Sequence, residues 1–169
     1  MSIRFFKKKD KILSTSEAKE KSLKDLWEKD ELDILYGYYK DLSYRSVHHS
    51  NHGIDKEIFL QFFIKLPGLL GERLFHVFDQ SNDGYITKQE FLLGLYKLSL
   101  RASFEDKVRL LFQMFDLDNQ KSITIFSMRT MLNAFLIAAQ RNTKDKDDLL
   151  LDKDKIDSII SKLYEQYGT

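Results

Sequence analysis

Apolar residues recur at positions i, i+3, i+4 and i+7 in four separate segments, which begin at Leu32, Val108, Met128 and Ile156. This spacing places one apolar stripe along one face of an α-helix. A fifth, looser stripe begins at Ile58, and no segment shows the sustained alternation of a long β-strand. The pattern therefore predicts an all-α fold whose helices bury their stripes against one another.

The composition favours helices and excludes several classes of protein. The 169 residues include only 7 Gly and 1 Pro, too few turn formers for a many-stranded sandwich or barrel. Because the chain has no Cys, disulfides, thiolate catalysis and Cys-ligated zinc are excluded. The 27 Lys and Arg residues balance 26 Asp and Glu residues, so we expect no nucleic-acid partner.

The sequence predicts a cytoplasmic location. No apolar run approaches the roughly 20 residues needed to span a bilayer. The first residues lack the apolar stretch of a signal peptide, and Ser2 stands where N-myristoylation requires Gly. The basic segment Arg4–Lys9 is expected to be a solvated end, with a weak contact to an anionic membrane as the alternative.

The segment Asp79–Glu90 carries oxygen-bearing residues at the spacing of a twelve-residue calcium loop. Calcium takes six to eight oxygen ligands at about 2.3–2.6 Å, and Gly84 at position 6 permits the sharp turn that they require. Ile86 at position 8 is expected to point inward. The predicted ligands at positions 1, 3, 5, 7, 9 and 12 are Asp79, Ser81, Asp83, Tyr85, Thr87 and Glu90.

These ligands differ in kind. Tyr85 supplies its backbone carbonyl, Thr87 acts through water, and Glu90 binds with both carboxylate oxygens. The strict motif has Asp or Asn at position 3, so Ser81 departs from it and leaves three carboxylates in the site. We expect one Ca²⁺ ion to bind here with a dissociation constant of roughly 10⁻⁷–10⁻⁵ M. The alternative is an acidic surface turn that binds no ion.

With helical patterns on both sides, this loop resembles a hand of the EF-hand superfamily. A second loop, Asp116–Ser127, keeps acidic residues at positions 1 and 3 but has Lys121 instead of glycine and Ser127 instead of glutamate. We expect a degenerate third hand that is retained for packing. A weak calcium or magnesium site is the alternative.

An earlier degenerate hand is predicted at Val47–Ile58, where Ile54 should pair with Ile86 in a short β-bridge. A histidine cluster in this segment is interpreted as a solvated loop, with a zinc or copper site as the alternative. The cluster consists of His48, His49 and His52.

The segment Ile156–Glu165 resembles the entering helix of a fourth hand, whose loop would begin at Glu165. This run of hands is similar to neuronal-calcium-sensor and calcineurin-B-like proteins, especially over Gly94–Asp116, and also to EF-hand segments of larger enzymes. Because the fourth hand is incomplete, we expect a piece of a longer protein. The alternatives are completion of the C-terminal lobe by another molecule and a lone last helix packed into that lobe.

The predicted organisation therefore has three parts. Residues 1–22 form a flexible charged N-terminal tail, and residues 23–100 form an EF-hand pair with one degenerate and one intact hand. Residues 101–169 contain the degenerate third hand, a polar linker at 141–148 and the start of a possible fourth hand.

The resemblance implies a calcium-binding regulatory module that binds a helical segment of a partner protein in a calcium-dependent manner. Glu90 is the expected switch ligand, because it would join the exiting helix to the ion. Met114, Met128 and Met131 are the predicted groove residues, because Met adapts to varied surfaces. No catalytic residue and no enzyme activity are predicted, since nucleophile-elbow and phosphate-loop motifs do not occur. The alternatives are a calcium-responsive or structural segment of a larger enzyme and a calcium-independent adaptor.

Overall fold

The computed structural model describes residues 2–3, 23–46, 53–142 and 153–167. In these ranges the chain forms helices joined by short loops and two-residue strands, which confirms the predicted all-α fold. The helices are α1 (Leu23–Leu26), α2 (Lys29–Arg45), α3 (Lys56–Phe62), α4 (Leu69–Phe78), α5 (Lys88–Leu98), α6 (Phe104–Phe115), α7 (Ile125–Asn142) and α8 (Lys153–Tyr167). The strands are β1 (Ser2–Ile3), β2 (Ile54–Asp55), β3 (Tyr85–Ile86) and β4 (Ile123–Thr124).

Two of these helices begin at hydroxyl side chains. The Thr87 hydroxyl accepts a hydrogen bond from the backbone N–H of Glu90 at the start of α5. The Ser103 hydroxyl accepts one from the backbone N–H of Asp106 at the start of α6. Each bond satisfies one of the first N–H groups of a helix, which have no partner within the helix itself.

Strands β2 and β3 join the degenerate first hand to the second hand. Ile54 lies opposite Ile86 in antiparallel register and both side chains are fully buried, which confirms the predicted pair. Gly53 lies just before β2 with a φ of 133°. A Cβ atom at that position would lie 2.3 Å from the carbonyl oxygen of Ile86, so a side chain there would separate the strands.

An aromatic core fills the space between the first two hands. The Phe59 ring contacts Phe75 and Phe78 at centroid distances of 5.5 and 5.1 Å. The buried Phe91 ring contacts Tyr39 of α2 at 5.9 Å. Aromatic pairs in this range contribute about 0.5–1.5 kcal/mol beyond the area that they bury.

The third hand is completed by two segments that are distant in sequence. Strand β1 pairs antiparallel with β4, so that Ile3 lies opposite Ile123. Helix α8 packs its buried residues against α7, and the hydroxyl of Tyr164 donates a 2.7 Å hydrogen bond to the carbonyl oxygen of Ile123. The third loop therefore has its strand partner and its packing helix within the same chain.

This arrangement corrects two predictions. A flexible tail over residues 1–22 is wrong at Ser2–Ile3, because the edge of β4 offers backbone groups that these residues satisfy. A fourth loop does not begin at Glu165, because α8 continues through Tyr167. The last helix instead packs on the third hand, which was one of the sequence-based alternatives.

Several predicted features lie outside the described residues. They are the basic segment 4–9, the charged segment 7–21, the cluster of His48, His49 and His52, and residues 143–148 of the polar linker. The looser stripe from Ile58 is cut short, since α3 ends at Phe62. Within the described ranges, none of the helices combines the length and the hydropathy that a membrane crossing requires.

Candidate calcium site

The candidate site is the loop between α4 and α5, and its backbone has the shape that the motif requires. Gly84 at position 6 has a φ of 87°, in the region that side chains rarely adopt. Asn82 at position 4 also has a left-handed φ of 57°. The sequence analysis did not single out Asn82, although Asn is among the few residues that tolerate this conformation.

The carboxylate of Asp79 lies buried inside this loop. Its two oxygens accept hydrogen bonds from the backbone N–H groups of Asp83 and Gly84, at 3.2 and 2.9 Å. The hydroxyl of Ser81 donates to it over 3.3 Å. The position-1 ligand is thus held by the loop residues that follow it.

The carboxylate of Glu90 connects the start of the loop with its end. One oxygen accepts a 2.8 Å hydrogen bond from the backbone N–H of Ser81. The other accepts from the N–H and the hydroxyl of Thr87, at 2.9 and 2.8 Å. Burial raises the pKa of Glu90, but these hydrogen bonds outweigh it and the pKa lies below its usual value. Glu90 is therefore charged at neutral pH.

The remaining predicted ligands lie in the same loop. Asp83 is exposed and accepts a 2.9 Å hydrogen bond from the backbone N–H of Tyr85. Across the described part of the chain, His, Asp and Glu side chains do not gather in threes around a common point, because each carboxylate of this loop is bonded to the loop itself. Ion binding would exchange these hydrogen bonds for coordination.

The donor set of this loop fits a calcium ion. Carboxylate, hydroxyl and carbonyl oxygens are hard ligands of the kind that Ca²⁺ prefers, and the predicted set contains no nitrogen or sulfur ligand. The assignment of the six residues as ligands stays a prediction. What the structure adds is that all six belong to one preformed turn with the two end carboxylates buried.

The second loop, residues 116–127, repeats the same backbone. Asn119 and Lys121 have φ values of 56° and 58°, at positions 4 and 6. The carboxylate of Asp116 accepts from the N–H groups of Gln120 and Lys121, at 3.0 and 2.9 Å, as Asp79 does in the first loop. A left-handed Lys costs about 1–2 kcal/mol, which agrees with the strain predicted for that position.

The end of the second loop differs from that of the first. Ser127 takes the place of the glutamate, and its hydroxyl reaches only the hydroxyl of Thr124, at 2.9 Å. Burial raises the pKa of Asp116, and the neighbouring Asp118 adds to this increase against the opposing N–H groups. The loop thus has the shape of an ion-binding turn without a carboxylate at its last position.

The predicted methionine groove is wrong. Met114 and Met131 are buried in the main core, and Met128 is half-buried against α8. Their stripes face the inside of the molecule, because α6 and α7 pack on α4 and on each other. None of the three residues forms an open surface for another chain.

The comparisons with known proteins agree with this geometry. Residues 70–128, which include both loops, match the family model of the EF-hand domain pair. Human calaxin is 30% identical over 115 residues, which are 66% of this chain and 53% of calaxin. The regulatory calcineurin B protein of Yarrowia lipolytica is 32% identical over 101 residues, which are 54% of this chain and 58% of that protein.

A third relative is an enzyme. Lysophosphatidylcholine acyltransferase 2 of Mus musculus is 35% identical over 96 residues, which are 55% of this chain and 18% of the acyltransferase. The chain thus spans about half the length of calaxin and of calcineurin B, and a smaller part of the enzyme. With these matches and the two loop geometries, the chain carries a domain pair of the EF-hand superfamily and resembles the calcineurin-B-like members of that calcium-binding regulatory family.

Proposed function

We propose that the chain is a regulatory module that binds one Ca²⁺ ion in the Asp79–Glu90 loop and, in response, engages a helical segment of a partner protein. The observation that carries this proposal is the position of Glu90. Its side chain reaches the loop start at Ser81, while its backbone lies in the first turn of α5. A ligand that exchanges these contacts for an ion is positioned to move α5 relative to α4.

A direct packing path leads from Glu90 to the surface. Phe91, the next residue, is buried, and its ring contacts that of Phe62 at a centroid distance of 6.1 Å. Phe62 in turn contacts Tyr38 of α2 at 6.5 Å. A shift at the start of α5 would therefore repack an aromatic pair that faces solvent.

These exposed residues are the better candidate for a partner surface. Ile34 and Tyr38 lie one turn apart on α2 with 61% and 55% of their surface exposed, and Phe62 is 41% exposed. Apolar side chains at such spacing are typical of surfaces that bind an amphipathic helix. We define Ile34, Tyr38 and Phe62 as the α2–α3 patch.

The similarities support a regulatory role that involves another protein. The Yarrowia lipolytica relative is, by its name, a subunit of calcineurin, and it matches this chain over 101 residues. The match to 18% of an acyltransferase favours a second candidate, in which the segment regulates or stabilises a larger enzyme. Both candidates require calcium binding at the same loop, whereas a calcium-independent adaptor does not.

A calcium titration separates these functions. Isothermal titration calorimetry of the wild type should show one ion per chain, and Glu90→Gln should reduce the affinity at least about 100-fold, because it removes a charged ligand. Glu57→Gln, at an exposed Glu in the first turn of α3, is the matched control and should bind like the wild type. Loss of heat in neither variant would contradict the proposed site.

The partner surface needs its own measurement. A fluorescently labelled basic amphipathic helix serves as the probe, and its anisotropy should rise with calcium present and not with chelator. Tyr38→Ser and Phe62→Ser should weaken binding, whereas Leu100→Ser, at a side chain that is 96% exposed outside the patch, should not. Equal binding in calcium and chelator would favour the calcium-independent adaptor.

A further inference from the structure

Arg73 connects the calcium hand to the third hand. It lies on α4, the helix that enters the Asp79–Glu90 loop, yet its guanidinium is buried at the end of α6. Nε donates a 3.1 Å hydrogen bond to the carbonyl of Met114. One terminal nitrogen donates to the carbonyls of Gln113 and Asp116, at 2.6 and 2.8 Å. All three bonds cross between the two hands.

These acceptors are the carbonyl groups that a helix cannot satisfy by itself. The last carbonyls of α6 have no partner within the helix, and the negative end of the helix dipole lies there. A buried guanidinium with several fixed donors satisfies both needs at once. Burial lowers the pKa of Arg73 while the charge of Asp116 opposes that shift, so the two groups stabilise each other in the interior.

A second contact joins the same two elements. His76, one turn further along α4, has its Nε2 atom 3.3 Å from the side-chain oxygen of Asn119. Asn119 is the left-handed residue at position 4 of the second loop. Helix α4 therefore contacts the second loop at its start and at its tip.

The second loop has the backbone of an ion-binding turn without the carboxylate that closes such a turn. In an intact hand, the ion draws the loop around itself and fixes the end of the entering helix. Here the same positions are held by Arg73, whose three bonds reach the last turn of α6 and the first loop residue.

We propose that Arg73 replaces the ion as the ordering element of the 116–127 loop. The third hand is thereby kept in its folded geometry with or without calcium and moves together with α4. In this scheme, calcium binding at Asp79–Glu90 displaces α5 and the first hand against a block formed by α4 and the third hand. The inference concerns the ordering of the third hand and does not require a partner protein.

Amide hydrogen exchange followed by NMR tests this directly. The reporters are the backbone N–H groups of Gln120 and Lys121, which donate to Asp116. In the wild type, their protection should agree within about twofold between calcium and chelator. In Arg73→Lys it should fall at least about tenfold under both conditions, because an ammonium group cannot make all three bonds.

The control variant is Arg45→Lys, at an exposed Arg of α2 that is bonded to Asp41 and Gln61. It should leave the protection of the second loop unchanged. The N–H groups of Asp83 and Gly84 report on the calcium loop, and in Arg73→Lys they should still gain protection when calcium is added.

Two results would overturn the proposal. One is a wild-type second loop that is unprotected in chelator and becomes protected in calcium, which would show that an ion orders it. The other is an Arg73→Lys variant with unchanged protection. If Arg73→Lys does not fold, the wild-type comparison still decides, together with Asp118→Ala. That variant should keep the calorimetric stoichiometry of one ion per chain, and a loss of binding heat would also contradict the proposal.

Discussion

The carboxylate of Glu90 accepts a hydrogen bond from the backbone N–H of Ser81, nine residues earlier, with an N···O distance of 2.8 Å. This contact closes the loop between its third and last positions. The same carboxylate also accepts from Thr87, so it links the loop to the cap of α5. The loop is therefore preorganised, and an ion has to compete with its own N–H donors for this ligand.

Restoring an acidic residue at position 3 should strengthen calcium binding. Ser81→Asp adds a fourth carboxylate, and we expect the dissociation constant to fall about 3- to 30-fold, because each added charge near the dication contributes on the order of 1–2 kcal/mol. The same change should lower the stability in chelator, because the new charge lies beside Asp79. Calorimetry and thermal unfolding measure both effects, with exposed Ser161→Asp as the control. Weaker calcium binding in Ser81→Asp would contradict the assignment of position 3.

The equivalent positions Gly84 and Lys121 should respond in opposite directions. Both are left-handed, with φ values of 87° and 58°. Gly84→Ala should reduce the free energy of unfolding by about 1–2 kcal/mol. Lys121→Gly should increase it by roughly 0.5–1 kcal/mol, since relief of strain exceeds the entropy cost of glycine. The melting temperature should shift by about 2–4 °C per kcal/mol. A destabilising Lys121→Gly would mean that its side chain contributes more than its backbone strain costs.

The calcium loop was accessible from the sequence because its constraints are local. Ligands, turn glycine and capping hydroxyl all lie within twelve residues, so their spacing alone predicts the geometry around Gly84 and Thr87. The Ile54–Ile86 pair followed from the fixed position of the inward-pointing residue in each loop. Helix stripes predicted the existence of the helices that flank these loops.

Long-range choices were not accessible in the same way. Arg73 binds backbone carbonyls 40 to 43 residues away, and carbonyl groups leave no trace in a sequence. The pairing of Ser2–Ile3 with β4 depends on which segment reaches a free strand edge first. A methionine on an apolar stripe gives no sign of whether that stripe faces a groove or the core, and Met114 and Met131 face the core.

The buried pair Ile54 and Ile86 should couple the stability of the first two hands. Each side chain is fully buried, so Ile54→Ala or Ile86→Ala should cost about 2–5 kcal/mol through lost packing and the cavity left behind. Because the residues lie opposite each other, the double variant should differ from the sum of the single variants by about 0.5–3 kcal/mol. Chemical denaturation of the milder Val variants avoids complete unfolding. Strict additivity would contradict direct packing between the two side chains.

The hydroxyl of Tyr164 should stabilise the third hand through the carbonyl of Ile123, with which it makes a 2.7 Å hydrogen bond. Tyr164→Phe leaves that buried carbonyl without this donor and should cost about 1–3 kcal/mol. Burial raises the pKa of Tyr164 from about 10 to about 12. The folded state therefore holds the phenol proton more tightly than the unfolded state. The associated stability is fully present below pH 10 and is lost as the pH rises from about 10 to about 12. Urea denaturation between pH 8 and pH 11 should show a steeper alkaline loss of stability in the wild type than in Tyr164→Phe, with exposed Tyr167→Phe as the control. Parallel pH profiles of the wild type and Tyr164→Phe would show that this proton does not contribute to the fold.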